Sequence, residues 1–152
     1  MKKFITFILI ACCLLSMTAC SKDEMVEQYN TVLQAVGDKA LTADSDLQGE
    51  RTLGSDSYVG KYAADYSDYT GKETIFGGTA LERDTGNKVS ITCKLNIQAG
   101  TIKLILQSGT EQPKVLTEES GDYSETIELP SASNYILVEG DGFTGSIELE
   151  IE

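Results

Sequence analysis

Val89-Ser90-Ile91-Thr92-Cys93-Lys94-Leu95-Asn96-Ile97 alternates apolar and polar residues without a break, and Phe143-Thr144-Gly145-Ser146-Ile147-Glu148-Leu149-Glu150-Ile151-Glu152 does the same at the far end of the chain. A period of two sends successive side chains to opposite faces, so each stretch reads as a strand with one buried and one wet face. Outward from these, residues 101–107, 113–118, 122–129 and 134–139 read as further strands, with shorter candidates at 73–76 and 79–83. Turn signals fall between them at Thr85-Gly86-Asn87, Ala99-Gly100, Ser108-Gly109, Ser120-Gly121-Asp122 and Gly140-Asp141-Gly142. Strands about 8–12 residues apart, joined by polar turns, predict an all-β chain folded as an antiparallel β-sandwich, jelly-roll-like or Ig-like. Nothing after Gly54 demands a helix.

Tyr58, Tyr62, Tyr66 and Tyr69 admit two readings. Spacings of four, four and three fit a helix face, but the even spacings also keep the first three on one side of a strand. Gly60 weakens a helix interior, so residues 58–65 are assigned to a strand.

Upstream the period changes. Met25, Val26, Tyr29, Val32, Leu33 and Val36 recur at helical spacing, predicting one amphipathic helix over residues 24–37. Asp23 and Glu24 suit its N-terminus and Gly37 its end. Its polar face lacks the Lys and Arg that bind anionic lipid, so the stripe suits packing on the domain or pairing with a partner. Residues 38–57 are rich in Gly, Asp and Ser and read as a linker, with a short strand near Leu47–Leu53.

Met1-Lys2-Lys3 followed by the apolar run Phe4 to Met17 has the layout of a secretory signal, too short for a spanning helix of ~20 residues. Met17-Thr18-Ala19-Cys20 resembles the lipobox of bacterial lipoproteins, with Met17 in place of the usual Leu. The resemblance implies cleavage after Ala19, lipid on the Cys20 thiol, and a protein held on a bacterial cell membrane or outer membrane with its domain outside the cytoplasm. Ser21-Lys22-Asp23-Glu24 serves as a hydrophilic spacer, or as a surface-export tag of the kind found in some diderm bacteria. The expected organisation is a signal at 1–19, a lipidated Cys20 with helix and linker at 20–57, and a β-sandwich domain at 58–152.

The chain has no His and a net charge of −12. No His means no Ser-His-Asp or Cys-His pair and no imidazole ligand for zinc. The acidic balance is repelled by phosphate backbones, which argues against nucleic acid. Losing Lys2 and Lys3 with the signal leaves ten Lys and Arg against 24 Asp and Glu. Cys12 and Cys13 would go with the signal and Cys20 would carry lipid. Cys93 would then be the remaining thiol, on the apolar side of its strand, so no disulfide framework is expected.

Two carboxylates working as acid and base are the one common enzymatic device this composition leaves open. No pair stands out. Glu118-Glu119 would point to opposite faces of a strand, and Glu148, Glu150 and Glu152 form the wet side of the last strand. Asp44-Ser45-Asp46-Leu47-Gln48-Gly49 opens like a calcium loop, but position twelve is Ser55 rather than Glu. Asp65 with Asp68, or Glu139 with Asp141, could chelate at a sheet edge, although Asp beside Gly is ordinary turn chemistry. Neither a metal nor a cofactor is expected, and the chain is read as non-catalytic.

The last stretch, GDYSETIELPSASNYILVEGDGFTGSIELEIE at 121–152, resembles the closing strands of small extracellular bacterial β-sandwich modules. That resemblance implies architecture and no activity. The expected function is a surface-tethered binding or adhesion module that meets an extracellular glycan or protein. Its expected contact group is Tyr58, Tyr66 and Tyr69 with Asp65 and Asp68, all within twelve residues. The alternative is that these tyrosines seal an edge of the core. A further alternative is a structural or assembly lipoprotein that docks a partner through residues 24–37.

Overall fold

The computed structural model describes residues 41–80 and 83–152. The signal-like segment, Cys20 and the helix expected over 24–37 lie outside them. A 3₁₀ turn, Asp44–Asp46, is followed by β1 (Glu50–Leu53), β2 (Gly60–Ala80), β3 (Lys88–Ser108), β4 (Lys114–Thr117), β5 (Gly121–Glu128) and β6 (Ala132–Ile151). All six strands share one antiparallel sheet in the order β1-β2-β6-β3-β4, with β5 also on β3. β1 falls on the short strand expected near Leu47–Leu53 within the linker stretch, so the sheet begins at Glu50.

Three strands are far longer than the sequence suggests. The segments expected at 89–97 and 101–107 are one strand, β3, and those at 134–139 and 143–151 are one strand, β6. β2 likewise absorbs 60–65, 73–76 and 79–80. Ala99-Gly100 and Gly140-Asp141-Gly142 are therefore corners within strands rather than turns between them. β6 stays paired on both sides of the corner, with β2 from Gly60↔Ile151 to Ala80↔Ala132 and with β3 from Ile91↔Ile151 to Ser108↔Asn134. The register slips only at the corners and near Ile75.

At each corner one residue takes the left-handed backbone region: Asp68 (φ 51°), Gly100 (φ 70°) and Gly142 (φ 58°). Gly100 is required there, since a Cβ would sit 2.2 Å from the Gly142 carbonyl oxygen. Asp68 is tolerated because Asp visits this region more readily than most residues. Two bonds close the corner: the Asp68 N–H donates to Thr144 Oγ1 (3.0 Å) and the Gly142 N–H to Thr70 Oγ1 (2.9 Å).

The bulges also switch side-chain parity. Odd residues of β3 face the core from Val89 to Leu95, and even ones from Ile102 to Leu106. β6 changes from even (Ile136, Val138) to odd (Phe143, Ile147, Leu149, Ile151). The corners divide β2, β3 and β6 into a near arm (residues 60–66, 88–97 and 143–151) and a far arm (residues 71–80, 101–108 and 132–140), and buried residues of both belong to one core. A small enclosed space is lined by Val89 and Ile151 from the near arm and by Leu106 and Ile136 from the far arm. Ile91, Leu95, Ile147 and Leu149 all belong to this core.

Candidate functional site

The five residues expected to form a contact group are divided by burial. Tyr66 is 3% exposed and Tyr58 4%, so both are core residues, whereas Asp65 and Asp68 are exposed and Tyr69 is half-buried. Tyr66 stacks obliquely on Tyr69 and Phe143, with ring centroids 5.0 and 5.2 Å away. The Arg83 guanidinium lies over the Tyr58 ring at 5.2 Å and is itself held by Asp56 at 2.9 Å. Tyr66 is separated from Asp65 because even positions of the near arm of β2 (Tyr62, Ala64, Tyr66) face inward and Asp65 faces out.

The inward tyrosines serve a feature that sequence reasoning missed. Glu73 is 2% exposed, on the far arm of β2. Its Oε2 accepts from Tyr66 Oη (2.7 Å) and Tyr62 Oη (3.0 Å), and its Oε1 from the Gln48 N–H (2.6 Å). The two hydroxyls lie 2.9 Å apart. A buried carboxylate is costly unless hydrogen-bonded, and here three donors meet it. This clasp joins the two arms of one strand across the corner. Burial pushes both tyrosine hydroxyls above their ordinary range; the bonds to Glu73 and Tyr62 add to this at Tyr66, whereas at Tyr62 the bond with Tyr66 works against it and the Glu73 charge and bond work with it. Burial and then the Glu73 charge push Tyr69 up to about 12.

The outer face of the near arm offers a different surface. A shallow groove of about 570 Å³ runs over β1, β2, β6, β3 and the start of β5. A second of about 430 Å³ continues it, sharing Glu50, Ala63 and Glu148. The cross-strand row is Glu50–Ala63–Glu148–Lys94–Asp122, and small Ala63 between two glutamates makes the depression. The next row is Thr52–Lys61–Glu150–Thr92–Ser124. Lys61 Nζ pairs with Glu150 at 2.7 Å, an exposed ion pair that solvent and salt screen. Asp65 joins this dish through the second groove. Carboxylates outnumber lysines across it. No tyrosine ring from the expected group reaches it, so its chemistry is charge and hydrogen bonding rather than stacking.

The remaining candidates resolve differently. Cys93 is buried, and burial pushes its thiol up to about 11, which suppresses the thiolate needed for nucleophilic chemistry. Asp44 of the calcium-like stretch sits in the 3₁₀ turn, paired with Arg51 at 2.7 Å. Among the described residues no group of three or more Cys, Asp or Glu side chains converges as a metal ion would need. Glu139 pairs with Lys72 at 2.7 Å, and this bond and charge hold its carboxyl below the usual range. Among the described residues no helix is long and apolar enough to cross a membrane. No protein-family model matches the chain, and no curated protein matches it either.

Proposed function

We propose that this chain is a lipid-anchored protein of the bacterial cell envelope whose β domain is a non-catalytic module that binds an extracellular partner. The observation that carries the reading is the lipobox-like Met17-Thr18-Ala19-Cys20 directly after a charged and then apolar leader. Two or three acyl chains on Cys20 would give the stable attachment that one chain cannot. The single core shared by both arms supports reading the domain as a β-sandwich in which β2, β3 and β6 pass through both layers. The acidic dish over Ala63 is the binding surface, in place of the tyrosine cluster expected from the sequence. Its alternating carboxylates and hydroxyls suit a glycan or protein surface that presents cationic and hydrogen-bonding groups.

The test is metabolic labelling with a fatty acid in a bacterial host. The natural chain takes up label and fractionates with membranes, while Cys20→Ala takes up none and keeps its leader. Equal labelling of the two would overturn the anchor.

A further inference from the structure

The outer face of the far arm is not like that of the near arm. Leu104, Leu106, Ile136 and Val138 face the core, so Ile105 and Leu137 between them point the other way. They are nonetheless 7% and 8% exposed, and neither belongs to the core cluster. They form one cross-strand row, Thr74–Leu137–Ile105–Val115, with Val115 at its β4 end 43% exposed. On the corner side the row is bordered by the ion pair Lys72–Glu139. An apolar row on the outside of a sheet is a surface that wants a cover.

The described chain begins at the edge of this row. The Thr42 N–H donates to the Thr74 carbonyl (3.0 Å), and Thr42 Oγ1 accepts from the Thr74 N–H (2.8 Å). Thr42 thereby extends the row by one position beyond β2. Only residues 38–41 separate it from the helix expected over 24–37, whose apolar stripe is Met25, Val26, Tyr29, Val32, Leu33 and Val36. Three interstrand steps from Thr74 to Val115 cover ~14 Å. Fourteen helical residues cover ~21 Å, enough to cross the row from the β2 edge to β4. Four linking residues reach up to ~13 Å, enough to lift the chain from the sheet edge onto its face.

We infer that residues 24–37 fold back as a helix on the outer face of the far arm, with their apolar stripe over Leu137 and Ile105. The inference does not depend on lipid at Cys20. If Cys20 is lipidated, the proposed helix brings the lipid to the far-arm side, and the acidic dish, on the opposite outer face, is turned away from the membrane.

Cysteine pairs in the full chain test it. Val115→Cys is combined with Val26→Cys or Tyr29→Cys on the stripe, or with Glu27→Cys or Thr31→Cys on the opposite side, and Val115→Cys alone controls for Cys20. Mild oxidation should give an intramolecular disulfide at least several-fold faster for the stripe pairs. Equal rates on both sides, or no intramolecular product, overturn the inference. Bands that form only between molecules and rise with concentration overturn it too, in favour of a second copy on this face. Cleavage by chymotrypsin after Tyr29 gives an independent readout. It should be slow in the natural chain and many-fold faster in Ile105→Asp, whose substitution is on the outer face. The same rate in both means that nothing docks there.

Discussion

Removing the carboxylate of Glu73 should cost this fold more than any single exposed charge. Glu73→Ala removes the acceptor of two tyrosine hydroxyls and the Gln48 N–H; the hydroxyls, 2.9 Å apart, can still bond each other, so one hydroxyl proton and the part-buried N–H are stranded. Each stranded buried donor costs ~1–3 kcal/mol, with partial relief from water entering the gap, so a loss of ~3–5 kcal/mol is expected. Tyr66→Phe removes one charge-assisted bond of 2.7 Å and should cost ~1.5–3 kcal/mol. Glu73→Gln keeps the shape and one acceptor, and should fall below Glu73→Ala. Urea unfolding measures all three, with an unchanged slope confirming that the transition remains two-state. A double-mutant cycle between Tyr66→Phe and Glu73→Gln should return a coupling of ~1 kcal/mol or more. A cost under ~0.5 kcal/mol for Glu73→Ala, or a coupling near zero, would refute the clasp as the tie between the two arms.

Raising the pH should weaken the same region. Tyr62 and Tyr66 hold their protons more tightly when folded than when unfolded. Stability is therefore full below about pH 10 and falls above it, by up to ~1.4 kcal/mol per unit for each hydroxyl. Urea midpoints should drop less steeply in Tyr66→Phe, and parallel curves would argue against the assignment. At the corner, Gly100→Ala should lose at least ~2 kcal/mol, since it adds a Cβ 2.2 Å from a carbonyl oxygen at φ 70°. Gly86→Ala, at φ 85° with nothing near its Cβ, should lose only ~1 kcal/mol, and similar losses at both would mean the corner is not tightly packed. At the dish, Glu148→Lys should weaken binding of a short oligolysine peptide several-fold at low salt. Glu128→Lys, outside both grooves, should change it far less, and equal effects would mean that the dish is only part of a diffuse charge.

The all-β character was legible because period-two alternation in 89–97 and 143–151 survives folding intact. The length of the strands was not. Ala99-Gly100 and Gly140-Asp141-Gly142 have turn composition, yet each strand continues through its corner because β6 keeps both neighbours there. Composition reports where a backbone can bend, and only pairing decides whether the strand ends. The same corners hid Glu73. Extending the inward parity of Tyr62, Ala64 and Tyr66 points Lys72 and Thr74 inward, whereas the slips between Tyr66 and Gly71 turn Glu73 in instead. For the candidate site, density of Tyr and Asp along the chain does not put Tyr66 beside Asp65 on one surface, because alternation separates neighbours that crowd in sequence. Ala63, a small residue flanked across the sheet by Glu50 and Glu148, marks the dish, and that juxtaposition exists only once register is known.

Arg51 has a role at the point where the described chain enters the sheet. Its guanidinium donates to the carbonyls of Thr42 and Ile75, both at 2.9 Å, and to Asp44 at 2.7 Å, with its side chain 6% exposed. If the molecule is held by its N-terminal end, a pull that has lifted residues 24–37 off the far arm arrives next at Thr42. The Thr42–Thr74 bonds alone would open one after another, like a zipper. Arg51 bridges both sides of that seam, so tension must break several charge-assisted bonds at once before β2 begins to peel. Under such a tether the joint would act as a mechanical fuse set above the strength of one edge pairing. The rupture force of the first unfolding event, rather than the equilibrium stability, is the quantity that Arg51→Lys would lower.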